Sequence, residues 1–209
     1  MPPGEMSATD RDGPEPDRGQ PDPSLPSPRV SRRELRWLAC REKACCHAPK
    51  VVVTGRDLWR IATALEVAPW DVTRQAPAGD GAPDGFRLEP EGPANQVVLR
   101  RRGKASARSA PCVFLWKLAD GHAQCGLGAT RPLACRARPA LAAGCGCGPC
   151  SPPTPESDRD GAPAAEASRE LAEYREIVAA WNRGIAETGA ARTYRDFCNH
   201  VMAAYGSTG

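Results

Sequence analysis

Six cysteines fall in two groups far apart along the chain, Cys40, Cys45 and Cys46 in one and Cys112, Cys125 and Cys135 in the other. A thiolate is a soft, anionic donor that holds zinc or iron better than oxygen ligands do, so the simplest fold brings the two groups together around a metal. Four thiolates saturate a structural zinc ion. Five or six converging ones point to a larger cluster, to two metals, or to ligands that exchange with redox state, so zinc, iron and an iron–sulfur cluster all stay open.

Disulfides are the competing use of so many cysteines, and they need an oxidising compartment. Residues 1 to 28 contain no apolar run like the centre of a signal peptide, and no stretch approaches the roughly 18 apolar residues of a membrane span. A cytoplasmic location without a membrane partner is therefore expected. Cys45 and Cys46 are also adjacent, and a trans peptide holds neighbouring Cα atoms about 3.8 Å apart, below the roughly 4.4 to 6.8 Å usual for a disulfide.

The same residues carry a resemblance. Cys45-Cys46, VVVTGRDLWRIA at 51 to 62, Cys112-VFL, Cys125 and TRPLACR at 130 to 136 resemble, in order and spacing, the YkgJ-like cysteine-cluster family over roughly residues 36 to 140. That family is described as a zinc- or iron-chelating domain and is similar to the flagellin lysine N-methylases. The resemblance thus implies a metal at the shared cysteines, and only by extension an iron–sulfur or methyl-transfer role. Two departures stand out. Relatives often have a C-x-x-C spacing before the paired cysteines, whereas Cys40 lies five residues before Cys45; and where relatives have Ile-Tyr after the middle cysteine this chain has Gly126-Leu127-Gly128, which is expected to loosen the packing.

Outside the cysteines, residues 1 to 28 are rich in Pro, Asp, Gly and Ser and are expected to form a disordered tail. A cysteine-cluster domain is expected over 29 to 150, a Pro-, Asp- and Ala-rich linker over 151 to 166, and helices packing back on the domain over 167 to 209. The fold class is α+β. Residues 31 to 44 suit a short amphipathic helix, 51 to 53 a strand, and Thr54 with Asp57 a helix start. Leu58, Ile61, Ala62 and Leu65 make one apolar stripe of that helix, which runs to about Glu66. Pro69 opens a second short helix, and 76 to 85 is a loop. Strands are expected at 86 to 88 and 96 to 101 as one hairpin, and at 112 to 115 in another whose turn is 119 to 122, so that Cys112 and Cys125 lie near its open end. Pro132 biases Arg131 away from helix and turns the chain, delivering Cys135 to the same place. Leu171, Tyr174, Val178, Trp181 and Ile185 recur at helical spacing, and Thr193 with Asp196 starts a last helix whose buried side includes Tyr194, Phe197, Cys198 and Val201. These two helices are too small a unit to fold alone.

Several residues have a bland reading beside a functional one. His47 follows the paired cysteines and is a possible ligand, or a solvated loop histidine. Cys145, Cys147 and Cys150, on a glycine-rich stretch, either wrap a metal or sit on an exposed tail. Cys198 reads as a small core residue. Arg131 and Arg136 either donate to cluster sulfurs or support backbone carbonyls. Residues 29 to 150 hold 20 basic and 10 acidic side chains, against a net charge of +3 for the whole chain. A nucleic-acid partner is nevertheless disfavoured, because no aromatic residue interleaves the run Arg100, Arg101, Arg102, Lys104 and Arg108, and buried thiolates need nearby positive charge. No Gly-rich nucleotide loop, carboxylate pair or Ser-His arrangement is visible, so hydrolase and kinase readings have no footing. Three functions are left: a redox or catalytic iron centre, a structural zinc module that binds a protein or nucleic-acid partner, and a metal-free vicinal-thiol redox protein working through Cys45 and Cys46.

Overall fold

Helix α1, Gly55–Leu65, lies against both C-terminal helices, the short helix at 69 to 72 and the turn at 128 to 130, and its start is set by local chemistry. Thr54 stands just before it in extended backbone, its hydroxyl accepts the Asp57 amide, and the Asp57 carboxylate accepts the Thr54 amide, so two otherwise orphaned N–H groups are satisfied reciprocally. Leu58, Ile61 and Ala62 are buried, while Leu65, expected on the same stripe, lies at the exposed rim. Glu66 closes the helix in the left-handed region, donating its amide to the Ala62 and Thr63 carbonyls. Gly55 has no substitute by packing: a Cβ there would lie 2.7 Å from Tyr174 Cδ2 and 2.8 Å from Tyr205 Cε2. Gly55→Ala is therefore expected to cost about 1–3 kcal/mol by overpacking, less the few tenths gained from a stiffer unfolded chain. A calorimetric melt should show Tm lowered by several degrees; an unchanged or higher Tm would contradict this packing.

The computed structural model describes residues 43–47, 50–79, 81–103, 110–137 and 162–207, all within one unit, Ser31–Gly209. The expected tail at 1 to 28, the expected helix at 31 to 44 as far as residue 42, most of the linker and the cysteines at 40, 145, 147 and 150 lie outside the described residues; at its end Lys43 is left-handed and Ala44 opens a 3-10 turn instead. The element order is α1, then α2 (Pro69–Val72), β1 (Thr73–Pro77), β2 (Asn95–Leu99), β3 (Leu115–Lys117), β4 (Ala123–Cys125), α3 (Leu133–Ala137), α4 (Ala162–Thr188) and α5 (Tyr194–Gly206). Helices and two small antiparallel sheets make this an α+β fold with a C-terminal helical pair.

The first sheet differs from the expected hairpin. Strand β2 pairs with β1, Thr73 opposite Leu99 and Pro77 opposite Asn95, so residues 73 to 77 are strand, overlapping the start of the expected loop. On its other side β2 receives Val51 to Val53, through the Val53 amide on the Val97 carbonyl and the Leu99 amide on the Val51 carbonyl, both at 3.0 Å. Phe86 exchanges both backbone bonds with Asn95 and the ladder stops there. The cause is competition. The Arg87 amide donates to Asn182 Oδ1 at 2.8 Å, its carbonyl accepts Trp181 Nε1 at 2.6 Å, and the Leu88 carbonyl accepts the Arg192 amide, so residues 87 and 88 are bonded to the helical pair instead of to β2.

Helix α4 begins at Ala162, inside the stretch expected to be linker, and buries Glu170, Tyr174, Val178, Trp181 and Ile185. Gly189, at φ +65°, ends that run. A second capping box, Thr193 with Asp196, opens α5, which buries Phe197, Cys198, Val201 and Tyr205. One apolar core runs from Cys46 and Val51 through Phe86, Val97 and Leu115 to Phe197 and Tyr205, with Phe197 stacked on Phe86 at 3.8 Å between ring centroids and edge-on to Trp181 at 5.4 Å.

Candidate metal centre

The two cysteine groups meet through backbone. Ala44–His47 is a single 3-10 turn, in which the Cys46 amide donates to the Lys43 carbonyl at 2.7 Å. Lys43 holds φ 47°, and Cys46 is buried. The Cys46 carbonyl then accepts the Cys112 amide at 2.9 Å, a direct joint between segments 66 positions apart. Cys112 itself bridges Arg101, with the Arg102 amide on the Pro111 carbonyl and the Val113 amide on the Arg100 carbonyl. Because the backbone on either side of Cys112 is used in this way, 112 to 114 is a turn and the expected strand begins only at Leu115. The Leu115 amide returns to the Cys112 carbonyl at 3.0 Å.

Hairpin β3–β4 places Leu115 opposite Cys125 in its last pair, and the Gly126 amide closes the end on the Phe114 carbonyl. Its turn uses Gly121 at φ 80° and an Asp120 carboxylate accepting the His122 amide. Cys112 thus lies one turn before the open end of the hairpin, whose returning strand ends at Cys125. The loosening expected at 126 to 128 is absent: Leu127 is buried in the core, and Trp116 lies so close over Gly126 that a Cβ would come within 2.6 Å of its Nε1.

Electrostatics ties these residues together. Burial is the main influence on the Cys112 thiol and pushes its pKa up; a hydrogen bond from the Phe114 backbone lowers it, neighbouring Cys125 raises it further, and Arg101 and Arg102 pull it down. Of the basic run, Arg101 and Arg102 thus lie near enough to Cys112 to favour its thiolate. The run is also committed structurally: Arg100 Nε donates to the Trp70 and Thr73 carbonyls, Arg101 to the Ala110 carbonyl, and Arg102 to the Val113 carbonyl while lying 5.3 Å over the Trp116 ring. Lys104 and Arg108 lie outside the described residues.

Cys135 follows a turn at Pro132. A 3-10 turn, Gly128–Thr130, leads to Arg131 at φ −54° and ψ 137°, and Pro132 accepts the Cys135 and Arg136 amides at 2.8 and 2.9 Å to start α3. Cys135 is half-buried against the core, as is Cys125. Arg131 Nε donates to the Gly128 carbonyl, and Arg136 reaches Glu170 at 3.4 Å. Cys198 is buried in α5 against Tyr194, a core residue as its spacing implies. His47 ends the first turn, half-buried. The Cys45 side chain, like Cys40, lies outside the described residues. Among the described residues no group of three or more His, Cys, Asp or Glu side chains is arranged to hold a metal ion.

Sequence reasoning missed the carboxylates. Asp57 reads as a helix cap and Glu170 as one more charge on a long helix, yet both are buried, and they hold Arg60 and Arg136 between them. The only signal was the charged residue inside each apolar stripe.

Burial of thiols predicts a pH response. Burial raises the Cys112 pKa, and raises that of Cys198 to about 11, above the range near 9 of an unfolded chain. A pKa raised by folding means that the neutral form is favoured in the native state, so this stabilisation is complete below about pH 9 and is lost as pH rises toward 11. Metal-free protein should accordingly melt at progressively lower temperature between pH 9 and 11, and Cys198→Ala should flatten that decline.

No protein-family model, no curated protein and no solved structure matches this chain. Among the described residues no helix is long and apolar enough to cross a membrane.

Proposed function

We propose that the chain is a cytoplasmic metal-binding protein in which Cys45, Cys46, Cys112, Cys125 and Cys135, with Cys40 at the edge of the set, hold zinc or iron, including iron as an iron–sulfur cluster. The observation that carries this reading is the 2.9 Å hydrogen bond from the Cys112 amide to the Cys46 carbonyl, since it joins one cysteine from each group. Cys46, Cys112, Cys125 and Cys135 are soft donors in or against the apolar core, and Arg101 and Arg102 favour a thiolate at Cys112. The likeness to the YkgJ-like family, which rests on the same cysteines, agrees with this.

The metal-free redox reading rests on Cys45 and Cys46, and Cys112 adds little to it, because a thiol whose pKa is raised by burial is a poor nucleophile, whereas a bound cation deprotonates a coordinating thiol outright. Zinc would supply a structural cross-link, and iron an electron-transfer or catalytic centre. One observation favours the structural version with a protein partner: Trp116 is 57% exposed and Leu118 46% exposed on the hairpin that carries Cys125. Purification without oxygen followed by metal analysis and a visible spectrum tests the proposal. Iron and sulfide with broad absorption near roughly 400 nm select the cluster. Stoichiometric zinc without colour selects the structural site, and a folded chain holding neither metal refutes the reading.

A further inference from the structure

The Asp57 carboxylate is fully buried and serves far more than its own helix. It accepts the Thr54 amide as a cap, takes Arg60 at 2.7 Å, and receives the Leu133 amide on both oxygens, at 3.0 and 2.9 Å. Leu133 is the first residue of α3, two positions before Cys135. One position after Cys135, Arg136 lies 3.8 Å from the same carboxylate and 3.4 Å from Glu170 of α4, which in turn holds Arg60 at 3.2 Å. Cys135 is thus clamped on both sides by one buried charge network. The helix that carries it spans only Leu133–Ala137, far too short to persist by its own hydrogen bonds.

We infer that Asp57 is a positioning residue for Cys135: it fixes α3 and so holds in place a thiol that the metal reading counts among the ligands, on a segment distant in sequence from Cys46 and Cys112. The inference rests on the metal reading above. A charge is needed here, because an ionised carboxylate offers about four lone-pair sites on two oxygens, whereas an asparagine has a single acceptor oxygen and would turn an N–H toward one of these donors. Asp57→Asn keeps the size and one acceptor but cannot serve Thr54, Arg60 and Leu133 together.

Cobalt(II) added to the metal-free full chain reports how many thiolates bind, through the intensity of its thiolate-to-metal absorption per bound ion. Asp57→Asn and Cys135→Ser should each lower that intensity by the same fraction, and the double variant should lower it no further, because both remove one ligand. Asp57→Asn combined with Cys112→Ser should lose both shares. Full intensity in Asp57→Asn, or an additional loss when it is joined to Cys135→Ser, would overturn the inference. A second measurement needs no metal: alkylation of the metal-free chain read by mass spectrometry, in which Asp57→Asn should speed modification of Cys135 about tenfold while leaving Cys125 and Cys198 at their wild-type rates. Arg136→Gln, which loosens the other side of the clamp, should act in the same direction. If all three cysteines accelerate together, the role of Asp57 is global stability and the inference fails. A wild-type chain that gives no cobalt–thiolate absorption refutes the metal reading instead, and the Cys135 alkylation rate then decides the positioning role alone.

Discussion

If the proposed metal reading holds, serine at Cys46, Cys112, Cys125 or Cys135 is expected to strip the chain of bound metal, whereas serine at Cys198 should leave it in place. The hydroxyl that replaces each thiol is a harder and far weaker acid, so it contributes almost nothing to a zinc or iron site at neutral pH. Site assembly is coupled to folding, and binding energies of about 10–16 kcal/mol for structural zinc rival the ~5–15 kcal/mol net stability of a whole domain. Loss of one ligand should therefore lower the melting temperature as well as the affinity. The connections make the loss cooperative: the Cys46 carbonyl holds the Cys112 amide, and Cys125 sits at the end of the hairpin that Cys112 leads into. Cys198 differs because it is wholly buried in α5 beside Tyr194, where serine costs only the transfer of a hydroxyl into a packed core. Metal content per chain after anaerobic purification is the measurement. Full metal in Cys135→Ser together with loss in Cys198→Ser would mean that the site belongs to other cysteines.

What the sequence made legible was local. Both capping boxes, Thr54 with Asp57 and Thr193 with Asp196, were readable because every partner lies within three residues. The same holds for the helix opened by Pro69, the extended Arg131 before Pro132, and the stripe from Tyr174 to Ile185. The larger misreadings involve partners distant in sequence. Residues 86 to 88 look like half of a hairpin, but Trp181 and Asn182, more than ninety positions away, take the Arg87 backbone and leave β2 to pair with residues 73 to 77. Asp57 looks like a cap because the amide that adds to its role belongs to Leu133. At the candidate site, residue type alone pointed to the cysteines. The turn at 112 to 114 and the placement of Arg101 and Arg102 beside Cys112 depended on backbone bonds that no periodicity encodes.

Phe197→Ala should have the largest effect on the fold itself, and it tests whether the helical pair and the cysteine-bearing segments melt as one unit. Phe197 is fully buried, stacked on Phe86 at an interplanar angle of 7° and edge-on to Trp181, so it ties α5 to the strap at 86 to 88 and to α4 at once. Truncating such a side chain removes its transfer energy and leaves a cavity that neighbouring rings only partly fill, at a cost of about 3–5 kcal/mol. Against a net stability of ~5–15 kcal/mol, that loss is enough to leave a marginal protein largely unfolded at 37 °C. The core that would be opened continues through Val97 and Leu115 to Cys112 and Cys46, so the damage should reach the cysteines without touching any of them. In a thermal melt, tryptophan fluorescence, helical circular dichroism and release of bound metal should all shift downward and stay coincident, because a single core gives a single transition. A melt in which the helical signal falls first while metal stays bound would show that α4 and α5 form a separate cooperative unit, and would remove the argument that folding of the helices helps to assemble the site.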